Sequence, residues 1–375
     1  MFILLLSAYI LYTLLFLLNI KSSIYWKIIT ISIPIPILFF NPIDTYQTTG
    51  FYVDTVRIFT EIDSFRDNGW YATDIYDNFI LSKLYIYSFS FFDEGFDYLL
   101  PFINAFIIYF IALYMTYIIS KKFDLSKRIV NFSLLYVALI FSYFNITTNI
   151  RYPLAIAIAF VLLFIDLVNI KHRILCFIGY FLLLMLHPGI IFIIILRLLV
   201  YLPKYCIIFL CALLIFLGND IILSIISNIP FDVIVGLLGK ISDYSSSDGL
   251  WDVTIYSLIT YLTYNICFIL LNIFLYLYLK KTIYNKYKYM VNFVTLLSFM
   301  GILGILSSIS GLIGRAEELS RYFLCLYFFI YADGSNFKIN ERKYNNLKIL
   351  IKLLYIFMLI YFFYNILTYT RVFII

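Results

Sequence analysis

Apolar residues run through this chain in stretches of roughly 20, the length a helix needs to cross a bilayer. They fall at 1–20, 24–41, 99–120, 129–146, 151–170, 174–202, 205–228, 254–279, 290–313, 322–336 and 349–369. Composition sharpens the point: 64% of the 375 residues are hydrophobic and 13% are charged, where soluble domains have about 45–50% and about 25%. Water cannot keep that much apolar surface in solution. The expected fold is an all-α, polytopic integral membrane helix bundle, a single transmembrane domain over 1–375. Cytosolic enzymes, secreted disulfide scaffolds and DNA-binding proteins are excluded. The net charge of +6 fits basic loops that fix orientation and points to no nucleic-acid partner. Cys176, Cys206, Cys211, Cys267 and Cys325 all lie in apolar runs and read as small core residues. No basic residue precedes the run 1–20 and no small-residue cleavage site follows it, so it reads as a retained first span.

Lysine and arginine set the sides. Lys21 and Lys27, then Lys121, Lys122, Lys127 and Arg128, then Lys171 and Arg173 mark successive cytoplasmic loops. Lys280, Lys281, Lys286 and Lys288 mark another, and Lys338, Arg342, Lys343 and Lys348 the last. Between Arg173 and Lys280 only three runs are visible, which puts these clusters on opposite sides. Run 174–202 resolves the conflict. It is overlong and carries His187-Pro188-Gly189 at its middle, a pair of helix breakers. Splitting it into short helices over 174–187 and 189–202 restores parity and brings Arg197 and Lys204 near the cytoplasm. The expectation is about twelve crossings with both termini outside.

A large outer (periplasmic) loop then covers 42–98. It holds Asp44, Asp54, Glu61, Asp63, Asp67, Asp74, Asp77, Asp93, Glu94 and Asp97 against Arg57, Arg66 and Lys83, with aromatics throughout. Most simply it is a solvated loop, with Phe79 to Phe92 an amphipathic segment along the interface. A second outer loop, 229–253, is rich in Ser and Asp.

Charges at membrane depth are expensive and usually functional. Arg151 opens a span, His187 sits at the break, and Arg315, Glu317, Glu318 and Arg321 lie between two spans. The topology puts Arg151, His187, Arg315 and Arg321 at the same outer end of the bundle. Arginines at one face hold phosphates by bidentate, charge-assisted bonds, and a neutral histidine takes a proton from an attacking hydroxyl. Plainer roles are open too. Arg315 with Glu318 and Glu317 with Arg321 have the spacing of helical ion pairs, Arg151 that of a snorkelling arginine, and His187 that of a structural helix breaker. Asp166 reads as paired near the Lys171 end, and Asp220 as a cap at a kink. Among the outer carboxylates Asp44 lies nearest the membrane. The chain has two histidines, and His172 is in a basic loop, so no zinc site is expected. Neither a P-loop nor GxGxxG is present, and no cofactor is expected.

Three segments resemble EpsG-like and Wzy-type polysaccharide polymerases. Thr148-Asn149-Ile150-Arg151-Tyr152-Pro153-Leu154-Ala155 is similar to that family's arginine-led span start. Leu186-His187-Pro188-Gly189-Ile190 is similar to its histidine-containing break, and Gly314-Arg315 to Arg321-Tyr322-Phe323 to its late Arg-Tyr span start. Asp44-Thr45-Tyr46 also fits. Tyr152-Pro153 stands where the family often has Gln. The resemblance implies an O-antigen or exopolysaccharide repeat-unit polymerase in a bacterial inner membrane. It transfers a glycan chain from undecaprenyl diphosphate to a lipid-linked repeat unit at the outer face. It implies His187 and Arg151 as catalytic groups, and Arg315, Arg321, Glu318 and Asp44 as substrate ligands. The implied partners are the undecaprenyl-diphosphate-linked oligosaccharide, membrane lipids, a chain-length regulator and a flippase.

Two other classes compete: a polyprenyl-phosphate-dependent membrane glycosyltransferase, which relies on Asp44 or Asp63, and a lipid-linked oligosaccharide flippase. A flippase spreads its charges through a central cavity and usually shows two similar halves; here the charges cluster at one end and no repeat is visible. An O-acyltransferase, built on a deep histidine, has less to support it.

Overall fold

The computed structural model describes residues 2–39, 54–72, 79–122, 124–141, 146–147, 149–169 and 172–203. To these it adds short helical stretches at 288–290, 292–294 and 296–297, and positions 206, 209, 319, 322, 349 and 356. Among the described residues the chain is helical, with no strand. The helices are α1 (Phe2–Leu17), α2 (Ser22–Ser32), α3 (Asp54–Asn68), α4 (Ile80–Tyr87), α5 (Leu99–Lys122), α6 (Lys127–Ile140), α7 (Arg151–Asn169), α8 (Arg173–Leu184) and α9 (Ile190–Leu199). A short 3-10 turn, Ile35–Phe39, extends α2. Two helical stretches, Ser22–Phe39 and Glu94–Lys122, are long and apolar enough to cross a membrane. Contacts divide the chain into two compact units. The first comprises Met1–Leu162, Phe181–His187 and Leu324–Ile375, and the second Leu163–Tyr180 and Pro188–Phe323.

In the first unit, two left-handed residues turn the chain back on itself. Asn19 (φ 49°) and Asp124 (φ 49°) are short polar residues that tolerate this conformation. At each, a paired set of backbone bonds closes the helix end. Asn19 N–H bonds Phe16 O at 2.9 Å and Ile20 N–H bonds Leu15 O at 3.4 Å. Asp124 N–H bonds Lys121 O at 3.1 Å and Leu125 N–H bonds Ser120 O at 3.1 Å. This double closure satisfies carbonyls that a helix end otherwise leaves bare. Lys121 and Lys122 occupy the last turn of α5, where the helix dipole favours cations.

The resulting hairpins pack together: α5 lies on α2 and α6, and α6 also lies on α1 and α2. Trp26 wedges against Phe110, Tyr114 and Tyr117, with ring centroids 6.1, 5.4 and 5.9 Å away. Buried tyrosine hydroxyls donate to backbone oxygens across helices: Tyr9 to Ala138 at 3.1 Å and Tyr25 to Tyr12 at 2.8 Å. The Asn131 side-chain amide donates to Ile20 O at 2.8 Å and fixes the start of α6 beside the α1–α2 turn. In an apolar medium such polar groups need a partner inside the protein.

The acidic segment is more than a solvated loop. Its described part folds α3 and α4 into a small cap. Ile58, Phe59, Ile62 and Phe65 of α3 pack with Ile86, Phe89, Leu100 and Ile150 in one buried cluster. Arg66 bonds Asp63 and Asp97 and donates to Phe92 O at 3.0 Å, which closes the far side. Hydrogen bonding to Asp97 and then to Asp63, working against partial burial, holds this guanidinium above its usual basicity.

The expected break is present. α8 and α9 are separated at 185–189, against expected helices over 174–187 and 189–202. The ends come earlier than expected because the residue before a proline disfavours helical geometry. His187 N–H still reaches Leu183 O at 2.9 Å, and Ile191 N–H caps onto Pro188 O at 3.1 Å. α8 turns Ile174, Leu175 and Ile178 outward, and α9 turns Ile195 and Leu198 outward. A face this apolar suits lipid rather than water. The second outer loop, 229–253, lies outside the described residues.

Candidate functional site

Arg151 is the first residue of α7. It is 6% exposed, so its guanidinium is held within the protein at a helix N-terminus, where backbone N–H groups add positive potential. Its Nη1 donates to Ser82 Oγ at 3.2 Å. This bond aims the guanidinium. Ser82 is itself fully buried, and its backbone N–H donates to Met185 O at 3.2 Å. Met185 lies two residues before His187. The imidazole in turn meets the ring of Tyr152, centroid to centroid 4.9 Å at 52°. Arg151 and His187, 36 positions apart in sequence, are thus tied into one cluster through Ser82, Met185 and Tyr152.

Two more bonds fix the approach to Arg151. Thr55 Oγ1 on α3 donates to Thr147 O at 2.9 Å, and Asn104 Nδ2 on α5 donates to Ile146 O at 3.4 Å. Thr55 and Asn104 are both fully buried. Nearby on α3, Arg57 bonds Asp54 and also Glu61, the latter at 3.2 Å.

Sequence reasoning missed Ser82 and its neighbour Lys83. α4 is inside out relative to a soluble helix. It buries Ser82, Lys83 and Ile86 while Ile80 and Leu84 face outward. Lys83 is 3% exposed, with its ammonium 5.1 Å from the centre of the Trp70 ring, within cation–π range. Gly69, at φ 68°, supplies the left-handed bend that ends α3 and starts the turn carrying Trp70. The signal was available: two polar residues at the centre of an otherwise apolar two-turn helix. An amphipathic segment lying flat on a membrane puts its polar side to water, whereas here the polar side faces the protein.

Asp44, Arg315, Glu318 and Arg321 lie outside the described residues, as does Asp220. Beside them, Leu319 and Tyr322 are helical and buried. Asp166 is paired, as expected, and its partner among the described residues is Arg197. It bonds Arg197, 31 residues on, through both carboxylate oxygens, one contact at 2.8 Å. Both side chains are fully buried. Arg197 had been expected only to fall near the cytoplasm. Tyr180 OH reaches Asp166 Oδ2 at 3.4 Å, and Arg197 Nη2 reaches Tyr201 OH at 2.7 Å. Among the described residues no group of His, Cys, Asp and Glu is placed to hold a metal ion. No family model, curated protein or solved structure matches the chain.

Proposed function

We propose that this chain is a polysaccharide repeat-unit polymerase of a bacterial inner membrane, built as a bundle of about twelve spans. The substrate is a glycan carried on undecaprenyl diphosphate, and the acceptor is a second lipid-linked repeat unit. The observation that carries this reading is the joining of Arg151 and His187 at the start of α7. It brings a buried cation and an imidazole to one place, the two groups the reaction needs most.

The acceptor's sugar hydroxyl gives its proton to the His187 imidazole as its oxygen attacks the anomeric carbon. The bond from that carbon to the diphosphate oxygen breaks. The lipid diphosphate leaves with a new negative charge, and Arg151 stabilises that charge as it develops. Arg315 and Arg321, with Glu318 and Asp44, complete the diphosphate and glycan contacts. Lys83, one residue beyond Ser82, raises the positive potential of the cap. Tyr152 holds the imidazole face, and the aromatics of the outer segment give sugars surfaces on which to stack.

The test is the surface-polysaccharide ladder of a deletion strain carrying wild type, Arg151→Ala or His187→Ala, with expression checked. Lipid core capped by a single repeat unit, in the deletion and in both variants at normal expression, is the expected result. Loss of even the single capped unit means the repeat is not built or not moved across the membrane, and the reading fails in favour of an earlier glycosyltransferase or a flippase.

A further inference from the structure

The second unit holds a second cationic cluster, unrelated to the first in sequence. Its base is the buried Asp166–Arg197 pair. Arg197 also donates to the Tyr201 hydroxyl at 2.7 Å, and its guanidinium carbon lies 4.7 Å from the centre of that ring. On the same ring lies a second guanidinium, that of Arg173, at 5.6 Å. Arg173 is also 5.5 Å from the ring of Tyr289, and the two tyrosine rings meet edge to face at 5.5 Å. The order of support is Asp166, Arg197, Tyr201, Arg173.

Charge is unevenly shared along this series. Asp166 neutralises Arg197. Among the described residues no carboxylate pairs with Arg173, which is half-buried at the first turn of α8. Its Nε is shielded and without a hydrogen-bond partner. Lys288, next to Tyr289, is exposed. Among the described residues the cluster therefore presents a positive charge that no carboxylate offsets, at a helix N-terminus. Tyr201 is 45% exposed, so this edge reaches the protein surface. Directly beyond Arg173 on α8 come Ile174 and Leu175, 78% and 65% exposed, and one turn further on Ile178, 52% exposed. A planar cation held on aromatic rings suits a phosphate oxygen, and an outward aliphatic stripe starting one residue later suits an acyl chain.

We propose that Arg173, held on Tyr201 and Tyr289, binds the phosphate of an anionic lipid headgroup, whose chain runs along the Ile174–Ile178 face of α8. The occupant is a lipid rather than free phosphate, because the cation and the apolar stripe adjoin. This site rests on the membrane placement proposed above and not on the reaction. A chain released from membranes by alkaline carbonate alone fails that placement; one that needs detergent but shows no headgroup preference fails this site only.

The experiment is native mass spectrometry of the full-length protein in detergent, titrated with phosphatidylglycerol or phosphatidylcholine, with and without excess inorganic phosphate. The expected result is retention of phosphatidylglycerol over phosphatidylcholine, reduced about fivefold in Arg173→Gln, the effect of one basic residue at a lipid surface. Tyr201→Leu keeps every charge and removes the ring under Arg173. It lowers the preference as well, and it decides the matter if Arg173→Gln does not accumulate. Equal retention of the two lipids overturns the proposal, as does full preference in a folded Tyr201→Leu protein. Displacement of phosphatidylglycerol by inorganic phosphate overturns the lipid assignment.

Discussion

Arg151 and Arg197 are both buried arginines on apolar helices. Arg197 meets a carboxylate with both oxygens engaged, and Arg151 donates to the Ser82 hydroxyl. Removing one partner of a buried pair leaves an uncompensated charge and costs about 3–5 kcal/mol. Asp166→Ala should therefore lower the thermal midpoint in detergent sharply. Replacing Asp166 and Arg197 together with Leu and Met should recover most of that loss. Ser82→Ala should lower the thermal midpoint less than Asp166→Ala does, since a hydrogen bond to a charged group contributes about 1.5–3 kcal/mol, and should slow chain extension at least about tenfold by releasing Arg151. A rate assay on purified protein with lipid-linked repeat units separates the two. Arg151 and His187 were visible in the sequence because a charge at a span start and a Pro-Gly break are local signals. Ser82 was not, because its partner lies 69 positions away. Asp166 pairs, as its position near the end of a span predicts, and its partner Arg197 comes from tertiary packing, which the sequence alone does not specify.

At the scale of elements, the α8–α9 break came from charge parity, and the chain does break there. Hydrophobic periodicity alone shows one continuous run, because both halves are apolar on every side. The cap was harder to foresee. α3 has the composition of a solvated helix, and its buried Ile58, Ile62 and Phe65 stripe is masked by ten acidic residues spread over the outer segment. α4 reverses the usual pattern of burial, so a rule tuned to water points its polar side outward. The break gives a direct topological prediction. In a background whose other cysteines are replaced by serine, Met185→Cys, at a position 43% exposed, should react with an impermeant maleimide added outside intact spheroplasts. The native Cys206, which is exposed, should react only after the membrane is opened. Labelling of both from one side contradicts the hairpin's orientation.

For the whole molecule, the class of fold follows from apolar run length, and the described residues agree with it: all helical, with two stretches long enough to cross a bilayer. The arrangement of the late spans and of Arg315 to Arg321 is not available from run length, because run length counts crossings and leaves neighbours unspecified. One further consequence concerns the membrane itself. α8 has 12 residues and α9 has 10, so at 1.5 Å per residue they rise only about 18 and 15 Å. The hydrocarbon layer is about 30 Å thick. Set in a bilayer as proposed above, a hairpin this short would not reach the far headgroups, and local thinning of the membrane would relieve the mismatch. Under the proposed function, that thinning would bring the outer headgroups, and the lipid diphosphate among them, towards the level of His187. Extension rates in proteoliposomes should then be highest in thin bilayers and fall as the acyl chains of the host lipid are lengthened. On that reading the thickness of the surrounding membrane becomes part of how the substrate is presented.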